Sequence, residues 1–219
     1  MTVNRRDFLK TTTAGVGISL AGISPIAGVI PAPRISPLRL QSGQAPEIIV
    51  VGAGTFGIWT ALNLIRLGAT VTVVDIYGPG NSRSTSGGET RGVRTSYGDR
   101  PHGFLWTRWA DEAVRRWIQW DEEGSELLLP KLFFQSGDLI MREEMQPYLE
   151  DTVANWDKLN IRYESLGPDE INYRWPWIRT EKITTALFEP QAGVVRARRA
   201  IESVAKRFQQ EGGTIKLAR

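Results

Sequence analysis

The sequence predicts an α/β fold organised around a parallel β-sheet, and three consecutive features between residues 47 and 75 predict it. Four apolar residues, Ile48 to Val51, are typical of a strand that is buried on both faces. The next segment repeats apolar residues at helical spacing until Gly68 ends it, and a second apolar strand finishes at Asp75. Strand, helix and strand together form one βαβ unit.

The turn that joins the first strand to the helix reads Gly-Ala-Gly-Thr-Phe-Gly at residues 52–57. The first glycine is expected to make the turn, the second to let the backbone approach a pyrophosphate, and the third to let helix and strand pack closely. Free N–H groups at the helix N-terminus would bind the phosphates. Asp75 follows Gly57 by 18 residues, which suits a carboxylate that hydrogen-bonds a ribose hydroxyl. The sequence therefore predicts a Rossmann-like adenine dinucleotide site, with an accidental glycine-rich turn as the alternative. Its candidate residues are Gly52, Gly54, Thr55, Phe56, Gly57 and Asp75.

Composition excludes several classes of protein. The chain has 219 residues and 41% hydrophobic content, which is enough for a packed core. Five of the 27 basic residues and one of the 24 acidic residues precede Gly43, so 22 basic and 23 acidic residues remain after it. The basic isoelectric point of 9.3 is therefore no argument for nucleic-acid binding. The absence of cysteine excludes disulfides, thiolate metal sites and a thiol nucleophile from the 219 residues, and no metal site is expected.

The first residues resemble a twin-arginine export signal, because Asn4 is followed by Arg5, Arg6 and the run Asp-Phe-Leu-Lys. An uncharged, weakly apolar segment then runs from 11 to 33. A transmembrane anchor is the alternative, but the glycines, threonines and prolines make this segment too polar for a favoured span. The resemblance implies a twin-arginine translocase as partner, a periplasmic or extracytoplasmic location, and no stable membrane span after processing. Residues 1–42 are accordingly assigned to a signal and linker.

The loop after the second strand carries a second motif. Residues 86–98 read SGGETRGVRTSYG, and this run resembles the signature of the FAD-dependent amino-acid oxidase (D-amino-acid oxidase) superfamily. Within that superfamily it is most similar to monomeric sarcosine oxidase and N-methyltryptophan oxidase. The resemblance implies FAD as the cofactor, Ser86, Thr90 and Arg91 beside the flavin, and Arg94 as the group that holds a substrate carboxylate, with both arginines in the catalytic set. The alternative for the arginines is a solvated loop with surface ion pairs.

The remaining segments predict three helices, a hairpin and a returning strand. A helix over 104–122 carries a stripe of tryptophans that is expected to lie in the core, and His102 before it is expected to face solvent. Two segments, 131–134 and 138–142, flank Ser-Gly and predict an antiparallel hairpin. The other predicted elements are a helix over 144–160, a helix over 197–210 and a strand over 214–217 that rejoins the dinucleotide sheet.

The resemblance implies a glutathione-reductase-type FAD-binding domain with a partial antiparallel α+β substrate domain. The expected segments are 43–126 for the first part of the FAD-binding domain, 127–192 for the substrate domain, and 193–219 for the second, incomplete part of the FAD-binding domain. The chain is expected to be the N-terminal portion of such an enzyme, so that alone it would neither bind FAD tightly nor turn over substrate.

The expected function is oxidation of the C–N bond of an amino acid or secondary N-methyl amine by hydride transfer to FAD. Two alternatives remain at this point. One is a cofactor-binding fragment or subunit without catalysis, and the other, which the 86–98 motif disfavours, is an NAD(P)-dependent dehydrogenase.

Overall fold

A computed structural model describes residues 45–126 and 130–218 of the chain. The predicted export signal lies outside these residues. The described elements are, in chain order, β1 Glu47–Val51, α1 Thr55–Arg66, β2 Thr70–Asp75, β3 Arg91–Val93, α2 Gly103–Glu126, β4 Phe133–Phe134, β5 Asp138–Arg142, α3 Pro147–Leu159, β6 Glu164–Leu166, α4 Pro168–Arg174, β7 Thr185–Glu189, β8 Gly193–Val195, α5 Ala197–Gln210 and β9 Thr214–Leu217.

The first sheet has the strand order β1-β2-β9, and both pairings are parallel. It confirms the predicted βαβ unit and the predicted return of the chain at β9. Helices α1 and α5 cover one face of this sheet, where Leu62, Val73 and Phe208 are completely buried. Each buried side chain of this size stabilises the folded state by about 1.5–3 kcal/mol, so this layer holds the βαβ unit together.

The opposite face of β1 corrects one prediction. Ile49 and Val51 were expected to be buried, but they are 70% and 80% exposed in the described part of the chain. Strand side chains alternate between faces, and only the face with Ile48 and Val50 meets the helices. A continuous apolar run cannot show which of its two faces is covered.

Two further sheets are antiparallel, with orders β3-β8-β4 and β5-β7-β6. The predicted hairpin is wrong, because β4 pairs with β8 and β5 pairs with β7. At the proposed turn the amide of Gly137 donates to the carbonyl of Ala192, 2.9 Å away, so the turn lies against a distant segment. Burial of Phe133 beside Val195 outweighs the local pairing that its sequence neighbours would allow.

The tryptophan stripe of α2 is only partly in the core. Trp117 and Trp120 meet Trp59 of α1 edge to face, with ring centroids 5.5 and 5.3 Å apart. Trp106 and Trp109 lie about three and two turns before Trp117 and are about half exposed, so the prediction of a buried stripe is wrong for them. The C-terminal half of α2 therefore fastens this helix to α1.

Helix α3 runs between a proline and an asparagine. It begins at Pro147 and ends before Asn160, whose φ of 55° is the left-handed conformation that commonly closes a helix. Its Trp156 is completely buried.

Helix α2 begins just after His102, which is exposed, as predicted. Within 45–126 and 130–218, no helix is long and apolar enough to cross a membrane. The proposed domain boundaries stay a prediction.

Candidate cofactor and substrate site

The turn after β1 is tight and depends on two glycines. Gly52 has a φ of 104°, which L-residues with side chains rarely adopt, and its amide donates to the carbonyl of Val74 at 2.7 Å. A Cβ on Gly57 would lie 1.8 Å from the carbonyl oxygen of Gly52. Glycine at 57 thus allows the first turn of α1 to contact the end of β1 directly.

The N-terminus of α1 is open. A Cβ on Gly54 would meet no atom within 4 Å, and no side chain of the described residues caps the helix there. Phe56 in the first turn is 90% exposed. Uncapped N–H groups at a helix N-terminus favour an anion, and the missing side chain at 54 leaves room for one to approach.

Asp75 accepts three backbone hydrogen bonds at the end of β2. Its Oδ2 accepts from the amide of Ala53 at 2.8 Å, and its Oδ1 accepts from the amides of Tyr77 and Gly78 at 2.7 and 2.8 Å. Partial burial acts to raise the pKa of Asp75, but these three bonds outweigh it and the net pKa is lowered. A carboxylate has about four acceptor positions, so one remains for a ribose hydroxyl.

Asn81 organises the loop that follows, and sequence reasoning missed it. Its side-chain amide donates to the carbonyl of Gly78 at 2.6 Å, and its side-chain oxygen accepts from the amide of Arg83 at 3.0 Å. Its own carbonyl accepts from both the amide and the hydroxyl of Ser84. Asparagine commonly forms such local bonds in turns, which is the signal that could have identified it.

The loop is also anchored at two distant points. The hydroxyl of Thr55 donates to that of Ser86 at 2.7 Å, which joins the dinucleotide turn to the 86–98 motif. On the other side, the guanidinium of Arg198 donates to the carbonyl of Gly87 at 3.1 and 3.0 Å, and the amide of Ala197 donates to the carbonyl of Glu89 at 2.9 Å. The structure therefore brings two of the predicted cofactor residues, Thr55 and Ser86, into contact.

Arg91 shapes the same loop. Its two terminal nitrogens donate to the carbonyls of Thr90 and Thr85 at 2.7 and 2.5 Å. Thr90 itself is exposed. Arg91 thus closes the loop over 85–91, and its guanidinium lies at the loop surface.

Arg94 lines a polar cavity of about 360 Å³ at the end of β3. Its Nε donates to the hydroxyl of Ser96 at 3.1 Å and lies 3.8 Å from a carboxylate oxygen of Asp138. In the described part of the chain its two terminal nitrogens have no hydrogen-bond partner. The cavity is lined by Arg94, Ser96, Tyr97, Asp99, Arg100, Arg142, Gln146 and Tyr148. Three arginines against one aspartate make this cavity suited to an anionic ligand.

The cavity and the turn contain no cluster of metal ligands. Throughout the residues that the structure describes, no three histidine, aspartate or glutamate side chains lie together in a way that could hold a metal ion.

Comparison with known proteins identifies the family. Residues 47–219 match the family DAO, described as FAD dependent oxidoreductase. The chain belongs to this family. The match covers both the dinucleotide turn and the loop with Arg91 and Arg94. Because the DAO family is FAD-dependent, the dinucleotide expected at the turn is FAD.

Three curated relatives are similar over most of the described chain. Monomeric sarcosine oxidase from Bacillus sp. (strain B-0618) is 26% identical over 170 residues, which cover 77% of this chain and 42% of that protein. Peroxisomal sarcosine oxidase from Homo sapiens is 25% identical, covering 78% and 42%. N-methyl-L-tryptophan oxidase from Yersinia pestis (strain Pestoides F) is 24% identical, covering 76% and 43%. The chain therefore spans less than half the length of these relatives.

Solved structures share the fold. A modified fructosyl peptide oxidase from Aspergillus nidulans gives a TM-score of 0.63 at 22% identity, covering 78% of this chain and 40% of that one. L-proline dehydrogenase from P.horikoshii gives a TM-score of 0.61 at 20% identity, covering 78% and 44%. These likenesses confirm the predicted FAD-oxidase fold, with its parallel sheet and its separate antiparallel sheets.

The residues at the turn fit FAD. The open N-terminus of α1 and the bare backbone at Gly54 would hold the pyrophosphate, while the remaining acceptor position of Asp75 would hold the adenosine ribose. Ser86, Thr90 and Arg91 lie on the loop that the Thr55–Ser86 bond ties to this turn.

Proposed function

We propose that the protein containing this chain oxidises the C–N bond of an amino acid or a secondary N-methyl amine that bears a carboxylate. Bound FAD supplies a hydride acceptor, and the residues of this chain bind and orient the reactants. Membership of the DAO family supports the reaction class, and the names of the curated relatives support sarcosine-like substrates.

The hydrogen bonding of the Arg94 guanidinium is the observation that supports a carboxylate on the substrate. Its Nε donates to the hydroxyl of Ser96 and forms an ion pair with Asp138, which orients the guanidinium while both terminal nitrogens remain available. A planar guanidinium in this state can donate two parallel bonds to a carboxylate, each worth about 1.5–3 kcal/mol. Arg94 would therefore orient the substrate by its carboxylate end.

The test compares substrates with and without a carboxylate in the FAD-loaded protein. Arg94→Ala is expected to lower kcat/KM for sarcosine by about a hundredfold, while dimethylamine, which lacks the carboxylate, changes little. Arg162→Ala is the matched control, because Arg162 is exposed and lies 3.7 Å from Glu164 on the surface. Equal losses for both substrates would show that Arg94 has a structural role instead.

The cofactor is tested separately. The purified full-length protein that contains this chain is expected to carry flavin, seen by its visible absorbance, and to lose that absorbance when an amine substrate is added without oxygen. Protein that binds NAD(P) and no flavin would favour the dehydrogenase, and bound flavin without reduction by any amine would favour a cofactor-binding subunit.

We also propose export of the folded protein through a twin-arginine translocase. The support is the sequence around Arg5 and Arg6, which precedes a weakly apolar segment. Replacing both arginines by lysine is expected to retain the protein in the cytoplasm, as measured by cell fractionation. Unchanged delivery would remove this proposal.

A further inference from the structure

A buried carboxylate lies beneath the segment that carries Arg94. Glu189 is the last residue of β7 and is completely buried, and it stands opposite Asp138 in the pairing of β7 with β5. Its partner is Thr95, which is 94 residues away in sequence. Burying a carboxylate costs free energy of desolvation, unless hydrogen-bond donors compensate for the water that is lost.

Two donors of Thr95, its amide and its hydroxyl, make three hydrogen-bond contacts with this carboxylate. The amide of Thr95 donates to the two carboxylate oxygens of Glu189 at 3.1 and 3.0 Å, and its hydroxyl donates to one of them at 2.8 Å. The indole N–H of Trp156 in turn donates to the same hydroxyl at 2.6 Å. The indole thereby leaves the hydroxyl proton of Thr95 for Glu189. We refer to Glu189, Thr95 and Trp156 as the Thr95 clamp.

The clamp adjoins Arg94 in the chain. On the N-terminal side of Arg94, the pairing of β3 with β8 holds the backbone of Arg91 to Val93. On the C-terminal side of Arg94, Glu189 holds Thr95, and the hydroxyl of Tyr148 donates to the carbonyl of Ser96 at 3.3 Å. The peptide of Arg94 is therefore held on both sides, while its half-exposed side chain extends into the polar cavity.

We propose that Glu189 is a positioning residue for Arg94. It holds the backbone of Thr95, and this fixes the position in which the guanidinium of Arg94 binds a carboxylate substrate. This inference rests on the proposed function of Arg94. Glu189 is completely buried and need not touch the substrate, so its effect should appear in carboxylate binding and not in the chemistry of the amine.

Kinetics of the FAD-loaded protein can separate this role from a general loss of structure. Glu189→Gln removes the charge and places a donor against the donors of Thr95, while Thr95→Val removes the hydroxyl that bonds both Glu189 and Trp156. Both variants are expected to raise KM for sarcosine relative to KM for dimethylamine by roughly ten- to a hundredfold, with a smaller change in kcat.

Asp121→Asn is the matched control. The carboxylate of Asp121 also holds two backbone amides, those of Leu132 and Phe133, both at 2.8 Å, but it has no bond to the 94–96 segment. It should leave the ratio of KM values unchanged. If Arg94→Ala raises that ratio and the two clamp variants do not, the positioning role is overturned and the proposed function stands. If Arg94→Ala itself leaves the ratio unchanged, the proposed function of Arg94 fails.

A measurement on the unaltered chain covers the case in which a variant does not fold. Amide hydrogen exchange should show Thr95 protected. Burial raises the pKa of Glu189 to about 7, against the lowering effects of the bonds from Thr95 and the charge of Arg94, and Asp138 raises it further. Opening that admits water to Glu189 therefore becomes easier as the pH rises from about 4.5 through about 7, and the protection factor of the Thr95 amide should fall over this range while that of Leu132 does not. An unprotected Thr95 amide at every pH would overturn the clamp.

Discussion

Two glycines of the dinucleotide turn are expected to respond to the same substitution in opposite ways. At Gly57 a methyl group would lie 1.8 Å from the carbonyl oxygen of Gly52, whereas real contacts of this kind stay beyond 3.0 Å. At Gly54 a methyl group would meet nothing within 4 Å, and the φ of −74° is one that any residue adopts. Gly57→Ala should therefore damage the fold, and Gly54→Ala should damage only the site.

The magnitudes follow from these distances. In Gly57→Ala the backbone of α1 must withdraw by about 1 Å, and overpacking of this kind costs about 1–3 kcal/mol, only partly offset by the better helix propensity of alanine. In Gly54→Ala the free energy of unfolding should change by less than about 0.5 kcal/mol. The added methyl should nevertheless weaken FAD by about tenfold or more, because it lies where the pyrophosphate approaches.

Urea denaturation with and without FAD measures both quantities. A ligand that binds only the folded state stabilises it in proportion to the logarithm of its concentration over its Kd, so a tenfold weaker Kd reduces the stabilisation by about 1.4 kcal/mol. Gly54→Ala should show the wild-type stability without FAD and a smaller gain with it. If that gain is unchanged, the backbone at 54 does not approach the phosphates. A Gly57→Ala variant as stable as the wild type would refute the packing argument.

Three further predictions concern stability. Because the pKa of Glu189 is raised from 4.5 to about 7 by burial, its contribution to stability is present below pH 4.5 and is lost as the pH rises through about 7. Urea denaturation should show the wild type losing about 3 kcal/mol relative to Glu189→Gln between about pH 5 and pH 8.5; parallel pH profiles would contradict this. Asp75→Asn should destabilise the chain by about 1–3 kcal/mol at pH 7, because three amides lose a charged acceptor, and the difference should shrink as the pH falls below the ordinary pKa of 3.8; a constant difference would argue against an ionised Asp75. Val51→Thr should change the unfolding free energy of the 219-residue chain by less than about 0.5 kcal/mol, whereas Val73→Thr, which puts a hydroxyl into the core, should cost about 1–3 kcal/mol. Similar costs for both would mean that the outer face of β1 is covered.

The βαβ unit and its turn could be predicted from the sequence because the interactions that form them are local. The helix period of α1, the apolar runs of β1 and β2, and the glycines of the turn are all encoded within 29 residues, 47–75. The return of β9 to this sheet was also predicted, although helix α5 connects β9 to β8 of another sheet and its parallel partner is β2. The assignment of cofactor and substrate roles to residues such as Thr90 and Arg94 came from a resemblance, and it remains to be tested.

The pairing of β1 with β2 was predictable because helix α1 lies between them, whereas the antiparallel pairings were not. The segments around Phe133 and Asp138 are strands, as expected, but each pairs with a partner 43 to 62 residues later in the chain. Nothing in their own sequence distinguishes that partner from a neighbour, because strand pairing depends on which apolar faces must be buried together. The exposure of Val51 has the same cause, since an apolar residue does not state whether its face is covered.

The sequence by itself determined the dinucleotide turn, the helices α1, α2, α3 and α5, and the motif that contains Arg94, while the short helix α4 was missed. Only the tertiary structure showed what holds the segment around Arg94. Glu189, Thr95 and Trp156 come from three distant segments, and no local pattern in the sequence indicates that they are in contact. A buried carboxylate is tolerated only where donors from elsewhere in the chain surround it, so its role depends on packing that no local pattern encodes.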